Sequence, residues 1–183
     1  MANGSVTRAF ALGSVVMMGL LGGGVGRALI DTPAWQRLGV GAWADYSRQA
    51  DLGNGLIIYP VFGIGTLILV FGAAISYRFD RRANPAAAPA IYTAALALVG
   101  AAVTTAKAAP IMLSISGLRD ASPALAQAFE DFTLWGVYVR GAFFAIAFFA
   151  SLWAVVSLGE RPTSAPRRAD PGTARGAAVT HVG

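Results

Sequence analysis

The chain has no cysteine, which excludes disulfides, thiolate metal ligands, iron–sulfur clusters and cysteine nucleophiles. It has one histidine, His181, near the last residue of a polar tail. Haem held by histidine and histidine-rich metal sites inside an apolar core are excluded with it. Charge is scarce as well: 13% of the residues are Asp, Glu, Lys or Arg, where an ordinary soluble domain carries about 25%. Apolar residues take that place. Of 183 residues, 56% are hydrophobic, and the mean hydropathy is +0.59. These values predict an all-α integral membrane protein, a single four-helix bundle at this length. The net charge of +5 could suggest nucleic acid. The basic residues instead lie in loops and tail, as topology signals do, so membrane lipid is the expected partner and nucleic acid is not.

Four apolar runs predict four spans, at about 9–30, 55–77, 90–115 and 133–158, forming one unit over 1–158. The last is the clearest. Thr133 to Leu158 carries one charge, Arg140, in 26 residues. As a helix it rises about 39 Å, against roughly 30 Å of bilayer hydrocarbon. The first run, Ala9 to Ile30, competes with a cleaved signal peptide, against which its length and the lack of a small-x-small cleavage site argue. Its glycines are no phosphate loop, since no strand precedes them and no Gly-Lys-Ser/Thr follows. Gly19/Gly23 and Gly22/Gly26 instead form small-xxx-small faces for close helix packing. Pro60 lies early in the second span, where a missing amide is cheapest. Pro110 predicts a kink or loosening of the third near Ala106 to Pro110. From 159 to 183 the chain is rich in Pro, Arg, Ala and Thr without a hydrophobic period, and reads as a disordered cytoplasmic tail.

The loops carry start signals. Thr32–Pro33, Asn84–Pro85 and Ser122–Pro123 each look like a cap followed by a first-turn proline. After Thr32, the residues Trp35, Leu38, Trp43, Tyr46 and Ala50 fall mostly on one side of a helix. Arg37, Asp45 and Arg48 fall elsewhere. That pattern predicts a short interfacial helix with tryptophans at headgroup depth, or a lid over the bundle.

With alternating spans, eight cations (Arg8, Arg78, Arg81, Arg82, Arg161, Arg167, Arg168, Arg175) face three (Arg37, Arg48, Arg119). Both termini are therefore expected in the cytoplasm, in a multi-pass protein of the cell inner membrane.

Three cations fall within spans: Arg27, Lys107 and Arg140. Counting rise along each helix puts all three in the outer half of the bilayer. Arg27 and Asp31 are spaced i,i+4 and can satisfy each other. Lys107 and Arg140 either snorkel to the headgroups or line a shared cavity. Asp51, Asn54, Tyr59, Trp135 and Tyr138 lie at the same depth and complete the candidate ligand-binding set. Two cations without as many buried acids suit an anionic or enolate-like ligand. A lysine there could act as a base, so Lys107 and Arg140 are the candidate catalytic residues. Asp31, Asp51 and Glu130 could hold Mg²⁺ or Mn²⁺, but their spacing carries no motif, and no metal or cofactor is expected. Phe143, Phe144, Phe148, Phe149 and Trp153 read as lipid-facing or packing surface.

Lys107, Pro110 and Leu118, followed by Phe132-x-x-Trp135-x-x-x-x-Arg140, resemble the small four-helix membrane proteins of the anthrone-oxygenase-like family. The resemblance covers about half the chain. It implies a four-span bundle and, by analogy with some members, oxidation of polyketide anthrones to anthraquinones without a metal or flavin motif. Where the family pattern has a polar residue after the proline, this chain has Ile111 and Met112. The run from Pro33 to Pro60 also looks like a specific signature.

Two classes of function follow. One is a binder, or an oxidising enzyme, for a lipophilic aromatic or anionic small molecule in an outer-leaflet pocket. In it oxygen would react directly with a substrate carbanion. The other is an accessory subunit of a larger membrane complex, or an oligomer, using the small-residue faces. A transporter is weaker, because no inverted repeat is visible.

Overall fold

The computed structural model describes residues 3–20, 23–80, 83–120 and 122–159. The expected disordered tail, Arg81, Arg82 and Gly22 lie outside them. Every described element is helical. In chain order they are α1 (Asn3–Leu20), α2 (Gly23–Gly26), a π-helical stretch (Arg27–Asp31), α3 (Thr32–Leu38) and α4 (Val40–Gln49). A second π stretch (Ala50–Asn54) leads into α5 (Gly55–Phe79). A 3₁₀ turn (Pro85–Ala87) opens α6 (Ala88–Ser114), and another (Ile115–Gly117) follows it. Then come α7 (Pro123–Phe132), a third π stretch (Thr133–Val139) and α8 (Arg140–Gly159).

Three continuous helical stretches, Val40–Phe79, Pro85–Gly117 and Pro123–Gly159, are long and apolar enough to cross a membrane. The first predicted span is less regular. Its described residues hold an apolar helix, Val6–Gly19, then the short α2 and the π stretch from Arg27.

Two of the three predicted caps form. Asn84 Oδ1 accepts from the Ala86 amide at 3.1 Å, and Ser122 Oγ accepts from the Leu125 amide at 3.2 Å. Thr32 does not cap α3. The chain arrives already helical through Asp31 (φ −70°, ψ −48°), so no fresh helix start exists to cap. Pro110 does not interrupt α6, which continues as α-helix to Ser114.

Helices α1, α5, α6 and α8 pack in a cycle: α1 on α5, α5 on α6, α6 on α8 and α8 on α1. Side chains fix their directions. Thr7 near the start of α1 bonds Ser76 near the end of α5 at 2.8 Å. Asn84 before α6 donates to the Ser157 carbonyl at the end of α8 at 3.0 Å. The four helices therefore alternate up and down. One end of the stack holds the start of α1 and the end of α8. The other holds all three π stretches, α3, α4 and α7.

Close approach depends on glycines other than those expected. A Cβ at Gly72 would meet the Phe10 ring at 2.9 Å, one at Gly65 the Met17 methyl at 2.6 Å, and one at Gly100 the Phe143 ring at 2.6 Å. Gly19 and Gly26 face open space. The middle of the stack is filled: the space enclosed by Ala11, Ser14, Val70, Ala73, Ile91, Ala94, Ser151 and Ala154 is about 10 Å³. That is the room of one water molecule at most.

The predicted interfacial helix is two helices joined at Gly39, whose φ of +96° is open to glycine and strained for other residues. Its tryptophans are not at the surface. Trp43 is fully buried against Phe129 and Phe132, and Trp35 is buried with Tyr46 across it at 5.3 Å. The α3–α4 pair is thus a cap, held on α7 by the packing of Trp43 against Phe129 and Phe132.

Candidate functional site

π-Helical turns are rare, under about 1% of residues in globular proteins, and gather at functional sites. Here the stretches hold 5, 5 and 7 residues, all at the same end. Arg27 opens the first, Asp51 lies in the second, and Arg140 follows the third as its C-cap. The first and third touch each other. The second is also bent at Gly53 (φ −86°, ψ −118°), which turns the chain from the cap into α5.

Arg27 donates to Asp51 Oδ2 at 2.5 Å, with side-chain exposures of 11% and 3%. The expected Arg27–Asp31 pair does not form. Both residues belong to a π stretch, whose wider turn no longer stacks positions i and i+4, and Asp51 takes the guanidinium instead. Tyr59 donates to the other carboxylate oxygen, Asp51 Oδ1, at 3.2 Å. Around the Arg27 guanidinium stand Trp35 at 5.4 Å and Tyr46 and Phe132 at 5.9 Å, so the cation rests among aromatic faces.

Arg140 is half-buried and lies within electrostatic reach of Arg27, Tyr59 and Asp51. Among the described residues it has no ion pair and no hydrogen bond from its side chain. The Asp51 carboxylate is engaged by the Arg27 guanidinium and the Tyr59 phenol, and the Arg140 guanidinium lies within its electrostatic reach without pairing to it.

Lys107 takes a different place. It is exposed, and its ammonium sits 4.0 Å from the centre of the Trp135 ring. Of the two cations expected either to snorkel or to line a shared cavity, Lys107 lies over Trp135, and Arg140 is within electrostatic reach of Arg27. Tyr138 follows Trp135 by three residues in the third π stretch. It lines an open apolar groove of about 390 Å³ with Val139, Ala142, Phe143 and Ile146. Asn54 is exposed at the end of the second π stretch and joins neither group through a side-chain bond. Among the described residues, no three of Asp, Glu and His gather as a metal-ligand set.

Two features escaped the sequence. The first is Arg48. It donates to Asp120 Oδ1 at 2.7 Å, to Asp45 at 3.3 Å, and to the Leu118 and Ile115 carbonyls at 2.7 and 3.3 Å. It clasps the cap to the turn between α6 and α7. The hydrogen bond to Asp120 holds its guanidinium above the ordinary range, against desolvation. The second is a run of fully buried side-chain atoms without a hydrogen-bond partner in the cap: Thr32 Oγ1, Trp43 Nε1 and Ser47 Oγ. Trp43, Ser47 and Asp51 are spaced by four, on one face of α4 and its continuation. That spacing was legible. The burial that makes it matter was not.

No family model, no curated protein and no solved structure matches the chain.

Proposed function

We propose that the chain is an integral membrane protein spanning the bilayer four times, with both termini cytoplasmic and the α3–α4 cap on the outer side. At the capped end it binds a lipophilic small molecule bearing a carboxylate or enolate-like oxygen, and Arg140 receives that oxygen. One observation carries this reading: among the described residues Arg140 has no ion pair and no side-chain hydrogen bond, while Asp51, the carboxylate within its electrostatic reach, is engaged by Arg27 and Tyr59. A cation at the centre of a bilayer costs about 2.5–3.5 kcal/mol even by the mildest scale, so it persists where something offsets it. An anionic ligand oxygen is the counter-charge that fits.

Two further features support a polar ligand. Trp43 Nε1 and Ser47 Oγ leave hydrogen-bonding capacity unused inside the cap, and each such buried group costs about 1–3 kcal/mol until it is met. The ring of Trp35, Tyr46 and Phe132 around Arg27 suits a planar aromatic body. Oxidation is the stronger form of the same reading, and the family resemblance supplies its substrate class. An anthrone that loses a proton to become an enolate held on Arg140 would react directly with dioxygen, and return of that proton on loss of water gives the anthraquinone, so that one anthrone and one dioxygen yield one anthraquinone and one water.

The test offers anthrone to the purified protein in mild detergent. Bound anthrone is read by quenching of tryptophan fluorescence, and turnover by oxygen uptake. Binding by the wild type and at least tenfold weaker binding by Arg140→Gln, with an unchanged melting temperature, is the expected result. Equal affinity in both proteins sinks the assignment of Arg140. Gly19 and Gly26, which face open space, favour the second reading, an accessory subunit of a membrane complex. That reading expects co-migration with a partner on native gels and no anthrone binding.

A further inference from the structure

Lys107 and the groove beneath it form a separate site. Lys107 and Gly100 are seven residues apart on α6, two turns and about 10 Å, and so share a face. On α8 and the π stretch before it, Trp135, Val139, Phe143 and Ile146 follow one another at about one turn each. Two contacts join these stripes: Phe143 packs over Gly100, and Lys107 lies over Trp135. The helices run antiparallel, so the stripes lie side by side, with the ammonium at the capped end of an apolar groove of about 390 Å³.

Lys107 has no carboxylate partner among the described residues and is exposed. The ammonium therefore presents an unmatched positive charge beside an indole, about one turn along the helix from an open apolar groove. A phosphate ester with a hydrocarbon tail matches this in both charge and polarity. We propose that this seam is a binding site for one anionic phospholipid. Its phosphate pairs with Lys107, its glycerol region rests on Trp135 and Tyr138, and one acyl chain lies along Val139, Ala142 and Ile146. The proposal rests on the membrane reading above and is independent of what Arg140 binds.

The test equilibrates the full-length protein in detergent with equal amounts of phosphatidylglycerol and phosphatidylcholine, then counts retained lipid by native mass spectrometry. The wild type should keep one phosphatidylglycerol in preference. Lys107→Gln should lose that preference by about tenfold, the worth of one charge-assisted hydrogen bond. Lys107→Arg should retain it. Ala142→Phe, at an exposed position and filling the groove, should abolish retention with Lys107 intact. Equal retention of both lipids, or retention unchanged in Lys107→Gln and Ala142→Phe, overturns the site. Displacement of the lipid by inorganic phosphate also overturns it, because the groove would then add nothing. Failure of the membrane reading looks different: the protein would stay in the aqueous phase on detergent phase separation.

Discussion

At one end of the helix stack, Ala87, Ala90, Ile91 and Ala154 close the core, with Thr7–Ser76 and Asn84–Ser157 as polar links. At the other end, Trp43, Phe129, Phe132 and Ile115 surround an ion pair, a second guanidinium and three π stretches. The first end is built from small side chains that let backbones approach, with short-range bonds between neighbouring helices. Its buried carboxylate is Asp80, at the end of α5. The second end buries large aromatics and then places costly groups among them. Among the described residues the π stretches and the buried Arg27–Asp51 pair gather at the second end, and a fold keeps such features where something else compensates.

The largest effect expected from this difference comes at Asp51. In Asp51→Ala, the buried Arg27 loses its carboxylate partner, and the loss of stability should be about 3–5 kcal/mol. Denaturant unfolding of the purified protein in detergent measures it. The double variant Arg27→Met/Asp51→Leu should recover most of that loss, because apolar groups of similar volume replace a buried pair at little net cost. A loss below about 1 kcal/mol in Asp51→Ala would make the two ends alike and remove the reason to seek a ligand at one of them.

Packing in the middle of the stack gives the next effect. A methyl at Gly100 would stand 2.6 to 2.8 Å from three atoms of the Phe143 ring. Gly100→Ala should cost about 1–3 kcal/mol by overpacking. Gly63 faces open space, and Gly63→Ala should instead gain roughly 0.5–1 kcal/mol from helix propensity. The same unfolding experiment reads both, and the opposite signs are the point. If both destabilise equally, the seam between α6 and α8 is not the tight contact described.

In the cap, Gly39→Ala forces a side chain into positive φ, at about 1–2 kcal/mol. The cost should be confined to α3 and α4. Hydrogen exchange should rise across 32–49 and stay unchanged along α1 and α6. A uniform rise would mean that the cap and the stack unfold as one unit.

Much of the architecture was legible. Long apolar runs with few charges give the helices, because a helix with no polar side can bury itself only in lipid or in other helices. Asn84–Pro85 and Ser122–Pro123 gave helix starts, since a side-chain acceptor followed by a proline leaves few other conformations. Thr32–Pro33 misled because the same dipeptide also fits inside a continuing helix. The candidate site was legible by depth alone. Asp51, Tyr59 and Arg140 were placed together by counting rise, but partners depend on azimuth. A π turn shifts azimuth without leaving a trace in residue type, so Arg27 was assigned to Asp31, and Lys107 was grouped with Arg140. The unpartnered atoms of Thr32, Trp43 and Ser47 depend on tertiary burial, which no single-residue pattern encodes.

The smallest expected effect is at the clasp. Arg48 ties α4 to the turn after α6 through two carbonyls and Asp120. Its bonds are reachable by water, so its loss should leave the melting temperature nearly unchanged. What it holds is the position of the cap over Arg27 and Asp51, while the aromatic contacts of Trp43 hold the cap down. Arg48→Ala should therefore raise hydrogen exchange in 40–49 and across the turn at 115–120, with α5 and α8 unaffected. If a ligand reaches Arg140 by opening of the cap, the same variant speeds both its association and its release, leaving affinity close to that of the wild type. Stopped-flow tryptophan fluorescence separates the two rates. Unchanged rates with increased exchange would place the ligand's route through the lipid-facing side, between the helices rather than under the cap.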